Sequence, residues 1–517
     1  MSEIRILWAD DEIDMLKPQL FFLEKKGYEV VTVTNGHDAV DQFIEDKAID
    51  VVFLDESMPG ISGLETLSKL KEINSNIPIV MITKNEAENL MEEAIGSQID
   101  DYLIKPVNPN QILMTLKKLI DNKRLVNEKT MTDYQIDFRK ILLEINSGLD
   151  VDGWVEVYKK IISWELKLDE SNSQEMMEIL TMQKNEANAE FSKFIAKNYH
   201  RWFESEDRPV MSHDLLKAKL LPNLDNTKPT VLFLLDNLRY DQWKIIEPEI
   251  NNLFRVDKEE FFFSILPTCT QYSRNAIFAG MPPSDIKKHY KTWWKDDHEE
   301  GGKNLYEEEL LKSQLNRLLR KEIQSDYVKV TNVNAARQLG DNMLNYLKND
   351  LTVVVYNFID MLSHARTEME VLKELASDEK AYRSLTQSWF RNSPLKLALE
   401  RLRDKDVQIF ITTDHGTIRV HRPSKVVGDK STTTNLRYKM GRNLKYDKKD
   451  VLEITDPHTV GLPKSNISSR YIFAKDDRFF LYPNNYNHFN NLYNNTFQHG
   501  GISLEEIICP FITLSPK

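Results

Sequence analysis

The first 122 residues alternate short hydrophobic runs with stretches in which hydrophobic positions recur every three or four residues. The first pattern predicts β-strands and the second predicts amphipathic helices. Five strand–helix pairs in succession predict an open parallel sheet with helices on both faces. The predicted strands are 4–9, 29–33, 50–55, 77–83 and 99–104, and the predicted helices are 13–26, 36–46, 62–73, 86–96 and 108–122.

Residues 123–204 have a different pattern, with long helical periodicity, two glycines and no proline. This pattern predicts an all-helical segment, either a small bundle or a spacer. Helix-breaking residues then predict a linker over 205–229. The predicted helices of the segment are 124–146, 151–168 and 173–204.

From residue 230 onward, strand-like hydrophobic runs return, and three of them end in an acidic residue, at 236, 360 and 414. They predict a second, largely parallel α/β sheet, in which polar side chains gather at the carboxyl ends of the strands. The expected fold class is therefore α/β, with an N-terminal doubly wound (βα)5 domain, a central helical bundle and a C-terminal α/β domain. The predicted domain ranges are 1–122, 123–204, the linker 205–229, and 230–517.

Composition narrows the function classes. Hydrophobic residues make up 41% of the 517 residues, which is enough for several cores and excludes wholesale disorder. A net charge of −12 argues against a broad surface for nucleic acid. Cys269 and Cys509 form no CxxC pair, which argues against a disulfide scaffold or a thiolate zinc site. The hydrophobic runs are too short to span a bilayer, and the acidic start is unlike a signal peptide, so we expect a cytoplasmic protein.

Charged side chains follow the predicted strands of the first domain. Asp10 and Asp11 end the first strand, Asp55 ends the third, and Thr83 and Lys105 follow the fourth and fifth. In a doubly wound sheet these positions converge, and three crowded carboxylates suit Mg²⁺ with oxygen ligands. Asp55 is the expected acceptor of a phosphoryl group, forming an acyl phosphate. Lys105 and Thr83 would contact the phosphoryl oxygens.

These residues lie in four motifs, 8-WADDE-12, 53-FLDESMPGISG-63, 81-MITK-84 and 101-DYLIKP-106, and together residues 1–122 resemble a response-regulator receiver domain. The resemblance implies that a sensor histidine kinase phosphorylates Asp55, and that Thr83 and Tyr102 form a switch pair. The magnesium ligands that it implies are Asp10, Asp11, Asp55 and the backbone carbonyl of Ser57.

A second group of metal-binding residue types lies beyond residue 230: Asp236, Asp360, His364, Asp414, His415 and His499. Mixed imidazole and carboxylate ligands suit Zn²⁺, with Mn²⁺ as the second choice. Thr268, Thr270 and Ser273 precede a helical pattern, where a nucleophile gains from the helix dipole and from free backbone N–H groups. Two metal ions there could clamp a phosphoryl group and lower the pKa of a bound hydroxyl.

These motifs resemble the alkaline phosphatase superfamily, and in particular its PglZ branch, over roughly residues 210–517. The resemblance implies one zinc site at Asp236, Thr270, Asp414 and His415, and a second at Asp360, His364 and His499. The Pro-x-x-Thr run of the superfamily selects Thr270 over Thr268 as the nucleophile. Arg274 is expected to contact the phosphate.

The order of receiver, helical segment and PglZ-type domain resembles the PorX group of response regulators, which are associated in Bacteroidetes with control of type IX secretion. The resemblance implies a zinc phosphodiesterase acting on nucleotides or oligonucleotides, a partner histidine kinase and a link to a sigma factor. We also expect phosphorylation to favour a homodimer through the receivers.

Two other functions are open to the same sequence. The chain could be a signalling adaptor that binds a sigma factor or a secretion component, with a structural metal site. A sequence-specific DNA-binding factor is least favoured, because no helix-turn-helix pattern follows the receiver.

Residues 284–350 and 418–497 are expected to supply a lid and a local basic surface. The basic surface could be either a solvated loop or a substrate channel. The basic residues concerned are His421, Arg422, Lys425, Arg437, Lys439 and Arg442.

Overall fold

The computed structural model describes residues 4–517, apart from short gaps and some side chains. The gaps are 47, 85–98, 172, 225–226, 320–321, 369–375, 377, 430–431 and 465–467, and the side chains of 120–128 and 364–368 are also outside the description. The chain divides into two compact units, Met1–Gln135 and Ile136–Lys517. Among the described residues, no helix is long and apolar enough to cross a membrane.

The first unit contains a five-stranded parallel sheet of strand order β2-β1-β3-β4-β5, as predicted. Alternate residues of β1 enter two cores, Leu7 and Ala9 on one face and Ile6 and Trp8 on the other, because helices cover both faces. The predicted helix 86–96 lies outside the described residues. The strands are β1 Ile4–Ala9, β2 Tyr28–Val33, β3 Val51–Asp55, β4 Ile79–Thr83 and β5 Asp101–Ile104, and the helices are α1 Lys17–Lys25, α2 Gly36–Glu45, α3 Gly63–Ile73 and α4 Pro109–Leu116.

The second unit is built on a six-stranded sheet of order β7-β18-β10-β6-β9-β8. The strands β10, β6, β9 and β8 pair in parallel, whereas β18 is antiparallel to β10 and to β7. Four of the six strands are therefore parallel, as expected of a largely parallel sheet, and the antiparallel edge makes the sheet mixed. The predicted α/β class is confirmed. The strands of this sheet are β6 Thr230–Leu235, β7 Phe254–Phe263, β8 Ser325–Val330, β9 Leu351–Tyr356, β10 Gln408–Thr412 and β18 Ile508–Pro516.

Smaller strands form three further sheets, β11 with β17, β12 with β16, and β14 with β15 and β13. They lie in the chain between β10 and β18, within the stretch expected to supply a lid. Their bounds are β11 Ile418–Arg419, β12 Arg422–Lys425, β13 Tyr438–Gly441, β14 Val451–Ile454, β15 Arg470–Ala474, β16 Arg478–Leu481 and β17 Phe497–Gln498. The helices that follow α4 are α5 Asn122–Ile145, α6 Val151–Ser171, α7 Gln174–Asn198, α8 Tyr240–Asn251, α9 Thr270–Ala279, α10 Pro283–His289, α11 Glu307–Leu318, α12 Val333–Asn342, α13 Phe358–Glu368, α14 Glu379–Arg391, α15 Pro394–Leu402, α16 Tyr486–Tyr493 and α17 Leu504–Ile507.

The helices α6 and α7 pack against the second sheet and its helices. The rings of Tyr158 and Tyr240 lie 5.8 Å apart, and those of Phe191 and Phe263 lie 6.2 Å apart. Within 205–229, the stretch predicted to be a linker, Met211 is fully buried and bridges to β7. The helical segment from residue 136 onward is thus part of the same compact body as the C-terminal sheet, and the exact domain limits stay a prediction.

Candidate functional site

Three carboxylates meet at the carboxyl ends of β1 and β3 in the first unit. Asp10 and Asp55 are buried and Asp11 is exposed, and one oxygen from each lies within 4.8 Å of the others. The ammonium of Lys105 lies 2.9 Å from Asp10 Oδ2 and 3.0 Å from Asp55 Oδ1. This arrangement offers hard oxygen ligands of the kind that Mg²⁺ prefers, with a cation beside the expected phosphoryl acceptor.

The surroundings of Asp55 disfavour its charge. Burial raises its pKa to about 6, and the charges of Asp10 and Asp11 act in the same direction, while Lys105 opposes them. A divalent cation among the three carboxylates would relieve this repulsion, so the residues fit such an ion. Ser57 lies two residues after Asp55, in the loop that leads to α3.

The expected switch residues of the first unit lie beside this pocket. The hydroxyl of Thr83, the last residue of β4, donates a hydrogen bond to Glu56. The side chain of Tyr102 in β5 is 39% exposed. Their role as a switch pair stays a prediction.

The second unit brings four of the expected zinc ligands together at the carboxyl ends of β6 and β10, which are adjacent parallel strands. Asp236, Asp414 and His415 are fully buried, and their ligand atoms lie within 4.8 Å of one another. Thr270 is the first residue of α9, and its Oγ1 lies 3.3 Å from Asp236 Oδ1 and 3.2 Å from His415 Nε2. The hydroxyl therefore faces the same point as the two carboxylates and the imidazole.

The second ligand set lies beside the first. His499 Nε2 is 3.7 Å from Asp360 Oδ1, and the rings of His415 and His499 stack with their centroids 4.4 Å apart. The remaining predicted ligand, His364, belongs to α13, and its side chain lies outside the described residues. The structure thus places one carboxylate and one imidazole of this set next to the first group.

Backbone carbonyls fix the tautomers of both imidazoles. Nδ1 of His415 lies 3.0 Å from the carbonyl oxygen of Gly416, and Nδ1 of His499 lies 3.2 Å from that of Thr268. Because a carbonyl oxygen can only accept, each Nδ1 carries the hydrogen and each Nε2 of the neutral ring presents a lone pair. Both Nε2 atoms are therefore ready to bind a metal ion.

One carboxylate oxygen of the first set is suited to bind a cation. Asp414 Oδ2 is buried and has no hydrogen-bond partner among the described residues. Burial raises the pKa of Asp414 to about 7, and the nearby negative charge of Asp236 contributes. A mixed set of imidazole and carboxylate ligands is typical of zinc. A cation bound to Oδ2 would offset the cost of burying the Asp414 charge and its repulsion by Asp236.

Arg274 is engaged with protein carboxylates, and its side chain is almost completely buried. Its Nη1 donates to Asp236 Oδ2 at 2.7 Å, and its Nε donates to Glu307 Oε1 at 2.5 Å. Burial alone would raise the pKa of Asp236, but the charges of Arg274 and His415 outweigh it, and the pKa lies below its ordinary value. Arg274 thus holds Asp236 ionised, whereas its expected contact with phosphate stays a prediction.

The two threonines that the sequence offers as nucleophile have different surroundings. Thr268 is fully buried, and its hydroxyl donates to the carbonyl of Gly501 at 3.0 Å and accepts from the N–H of Gly500 at 3.0 Å. It therefore holds the turn that follows His499. Gly500 has a φ of +117°, a conformation that favours glycine at this turn. Thr270, at the start of α9, is the hydroxyl that faces the expected metal ligands Asp236 and His415.

Sequence reasoning missed Asn237, which follows Asp236 directly. Its side-chain amide donates to Asp360 Oδ1 and to Ser363 Oγ at 3.3 Å each, and its backbone N–H lies 3.3 Å from Asp414 Oδ1. Asn237 therefore contacts one carboxylate from each ligand set. Its φ of +65° is the left-handed region, and an asparagine directly after a strand was the signal that could have revealed it.

The expected basic surface over 418–497 is wrong for two of its members. Arg437 is completely buried, and its guanidinium binds the Glu506 carboxylate through Nη2 at 2.6 Å and Nε at 3.2 Å. Lys439 is 2% exposed and donates to the carbonyl of Thr433 at 2.9 Å. Burial lowers the pKa of Lys439 to about 8. Both cations therefore bind partners inside the domain and do not contribute to a basic surface.

Three family models match the chain, in the order of the predicted domains. The receiver domain model of response regulators matches residues 6–117, and a model described as the PorX response regulator linker domain matches 124–203. The BREX system PglZ alkaline phosphatase-like domain matches residues 215–514, which is more than half of the chain.

Curated response regulators and solved receiver domains each match less than a third of the chain. The response regulator SaeR of Staphylococcus epidermidis is 28% identical over 162 residues, which cover 31% of this chain and 69% of SaeR. SaeR of Staphylococcus aureus is 27% identical over 161 residues and also covers 31% of this chain and 69% of its own length. A crystal structure of a receiver domain protein from Clostridium thermocellum is 30% identical and covers 24% of this chain and 98% of that one, with a TM-score of 0.23. A CheY-like receiver from Methanospirillum hungatei is 27% identical and covers 23% and 96%, with a TM-score of 0.22.

Proposed function

Because this chain belongs to the PglZ family of alkaline phosphatase-like proteins and carries a receiver domain and a PorX-type linker domain, we propose that it is a response regulator whose output is zinc-dependent phosphodiester hydrolysis. The receiver implies a sensor kinase as partner, and Asp55 is the proposed site of phosphorylation, with Mg²⁺ bound by its neighbouring carboxylates. The proposed substrates are nucleotides or oligonucleotides. The proposed setting is control of type IX secretion, with a sigma factor as a further partner.

The position of Thr270 carries the enzymatic proposal. Its Oγ1 lies within 3.3 Å of both an Asp236 oxygen and His415 Nε2, at the N-terminus of a ten-residue helix. A structural metal site needs no hydroxyl at this point, whereas a phosphoryl transferase does. The first backbone N–H groups of α9 have no intrahelical acceptor and suit a phosphoryl oxygen.

The proposed reaction has two steps on Thr270. Its oxygen attacks the phosphorus and loses its proton, a new Oγ–P bond forms, and the bond to the leaving oxygen breaks. The leaving oxygen takes up a proton and departs as the alcohol. Water then cleaves the Oγ–P bond, which releases the phosphomonoester and restores the hydroxyl. Zinc ions bound by the two ligand sets would lower the pKa of the hydroxyl and offset the charge of the phosphoryl oxygens.

The test compares Thr270→Val with Thr270→Ser in the full-length, zinc-loaded protein, with a chromogenic phosphodiester as substrate. Valine keeps the shape and removes the oxygen, so hydrolysis should be lost. Bound zinc and the unfolding transition should change little, because Asp236, Asp414 and His415 still supply three strong ligands, whereas a neutral hydroxyl is a weak one. Serine keeps the oxygen and should retain measurable turnover. Near-wild-type turnover in Thr270→Val would refute the role of this residue. Zinc binding by the wild type without any hydrolysis would favour the adaptor function.

A further inference from the structure

Helices α6 and α7 carry charged side chains that are buried against the C-terminal sheet domain. Lys184 Nζ lies 3.1 Å from Glu165 Oε2 and 3.1 Å from Glu505 Oε1. Burial lowers the pKa of Lys184, but these two carboxylates outweigh it and hold the pKa above its ordinary value. Removing one partner of such a buried group leaves an uncompensated charge, so the contact couples the helices firmly to Glu505.

The same network continues along the two helices. Arg383 of α14 donates to Glu165 Oε1 at 2.6 Å and to Asp241 Oδ2 at 3.0 Å, and it also binds Asp169 at 2.5 Å. Asp241 lies at the start of α8, five residues after the metal ligand Asp236. The helical segment is therefore tied by ion pairs to elements that begin at the metal site.

Asn188 of α7 makes the most direct contact. It is 2% exposed, its Oδ1 accepts from the backbone N–H of Leu504 at 2.8 Å, and its Nδ2 donates to Glu505 Oε2 at 3.1 Å. Leu504 is the first residue of α17, where backbone N–H groups lack an intrahelical acceptor. Asn188 thus fixes the first turn of α17 from a helix more than 300 residues earlier in the chain.

The first turn of α17 supports both described imidazoles. A Cβ on Gly416 would lie 2.0 Å from the carbonyl oxygen of Glu505, so the backbone beside His415 packs directly on this turn. Glu506 Oε1 accepts from the N–H of Gly501 at 2.8 Å, which holds the turn after His499. A shift of α17 would therefore move the backbone next to both metal-binding histidines.

We infer that Asn188 and Lys184 are positioning residues for the metal site, acting through α17 on His415 and His499. The inference rests on the proposed function, since it concerns the same site, and it adds the helical segment to the machinery of that site. The two side chains touch neither the expected nucleophile nor its metal ligands directly in any described contact. Their effect is on metal affinity and turnover rather than on substrate recognition.

The first experiment measures zinc affinity and hydrolysis in the full-length chain for Asn188→Ala and for a matched control, Asn198→Ala. Asn198 lies on the same helix, and its amide donates within the helix, to the carbonyl of Phe194 at 2.9 Å. We expect Asn188→Ala to lower zinc affinity and kcat about tenfold with KM unchanged. This is the low end of the loss found when a hydrogen-bonded partner of a metal ligand is removed, because Asn188 acts one step further out, through α17. Equal values for the two variants would overturn the inference.

Lys184→Met and Lys184→Arg give an independent test. Methionine leaves Glu505 without the cation that pairs with it and leaves Glu165 with Arg383 alone, so it should weaken zinc binding. Arginine keeps the charge and should restore most of the affinity. If Asn188→Ala does not fold, the comparison of Lys184→Met with Lys184→Arg still tests whether the helical segment positions the metal site. Equal zinc affinity of Lys184→Met and the wild type would count against the role of Lys184.

Hydrogen exchange on the metal-free chain separates this inference from the proposed function. Asn188→Ala should speed exchange of the Gly500 and Gly501 amides, and Asn198→Ala should not. Unchanged exchange would overturn the inference even if the wild type is an active diesterase. If the wild type hydrolyses no diester but the amides exchange faster, the proposed function fails and the positioning role of Asn188 stands.

Discussion

Replacing Asn237 with glycine should weaken the second zinc site and leave the backbone in place. Glycine adopts a φ of +65° without strain, so the change removes the amide contacts alone. The lost contact to Asp360 Oδ1, at 3.3 Å, is a hydrogen bond to a charged acceptor, worth about 1.5–3 kcal/mol. At about 1.4 kcal/mol per factor of ten, the expected loss of zinc affinity is about 10- to 100-fold.

The assay is a zinc titration of the metal-free, full-length chain against a chromophoric chelator, which resolves two binding steps of different affinity. We expect one step to weaken in Asn237→Gly while the other changes less. Asn237→Ala is the matched control, because alanine also lacks the amide but strains a left-handed backbone by about 1–2 kcal/mol. Its zinc affinity should match that of Asn237→Gly, and its unfolding free energy should be lower. Two unchanged binding steps in Asn237→Gly would refute the reasoning.

Three further predictions concern other parts of the chain. His499→Ala should empty one of two zinc sites by metal analysis, because one imidazole of a small ligand set is lost, and full occupancy would contradict the assignment. Beryllofluoride with Mg²⁺ should shift the wild type toward a dimer in sedimentation velocity but leave Asp55→Ala monomeric, and an unchanged wild-type mass would exclude the dimer switch. Burial lowers the pKa of His213 from 6.5 to about 4, so the unfolded chain binds this proton at higher pH than the folded chain. Stability should fall by about 3 kcal/mol as the pH drops through this window, and denaturant unfolding of His213→Gln should show a shallower pH slope.

The class of fold could be predicted from the sequence, and so could the fact that most candidate site residues lie close together in the folded chain. Asp10 and Asp55 end neighbouring parallel strands, and so do Asp236 and Asp414, and such strand ends always meet at one edge of the sheet. The local pattern alone therefore predicted a meeting of side chains distant in sequence. The α/β class and the membership of the PglZ family are confirmed.

The contacts of the helical segment could not be predicted in the same way. Lys184 and Asn188 are polar residues on a long helix, a pattern that is equally typical of a solvated face. Their burial depends on Glu505, which lies more than 300 residues later, and no local signal links the two positions. Arg437 is a similar case, because no sequence pattern pairs it with Glu506, and the ion pair between them is found only in the folded structure.

The position of the border between the two units sets a limit on how the protein can be divided for study. A fragment that begins at residue 215, where the PglZ match starts, would lack α6 and α7 and would expose the carboxylate of Glu505 and the rings of Tyr240 and Phe263 to water. Such a fragment is expected to express poorly or aggregate, because a large apolar face and unpaired charges would lie on its surface. A fragment that begins near residue 136 is longer but keeps these partners, and it is expected to fold by itself.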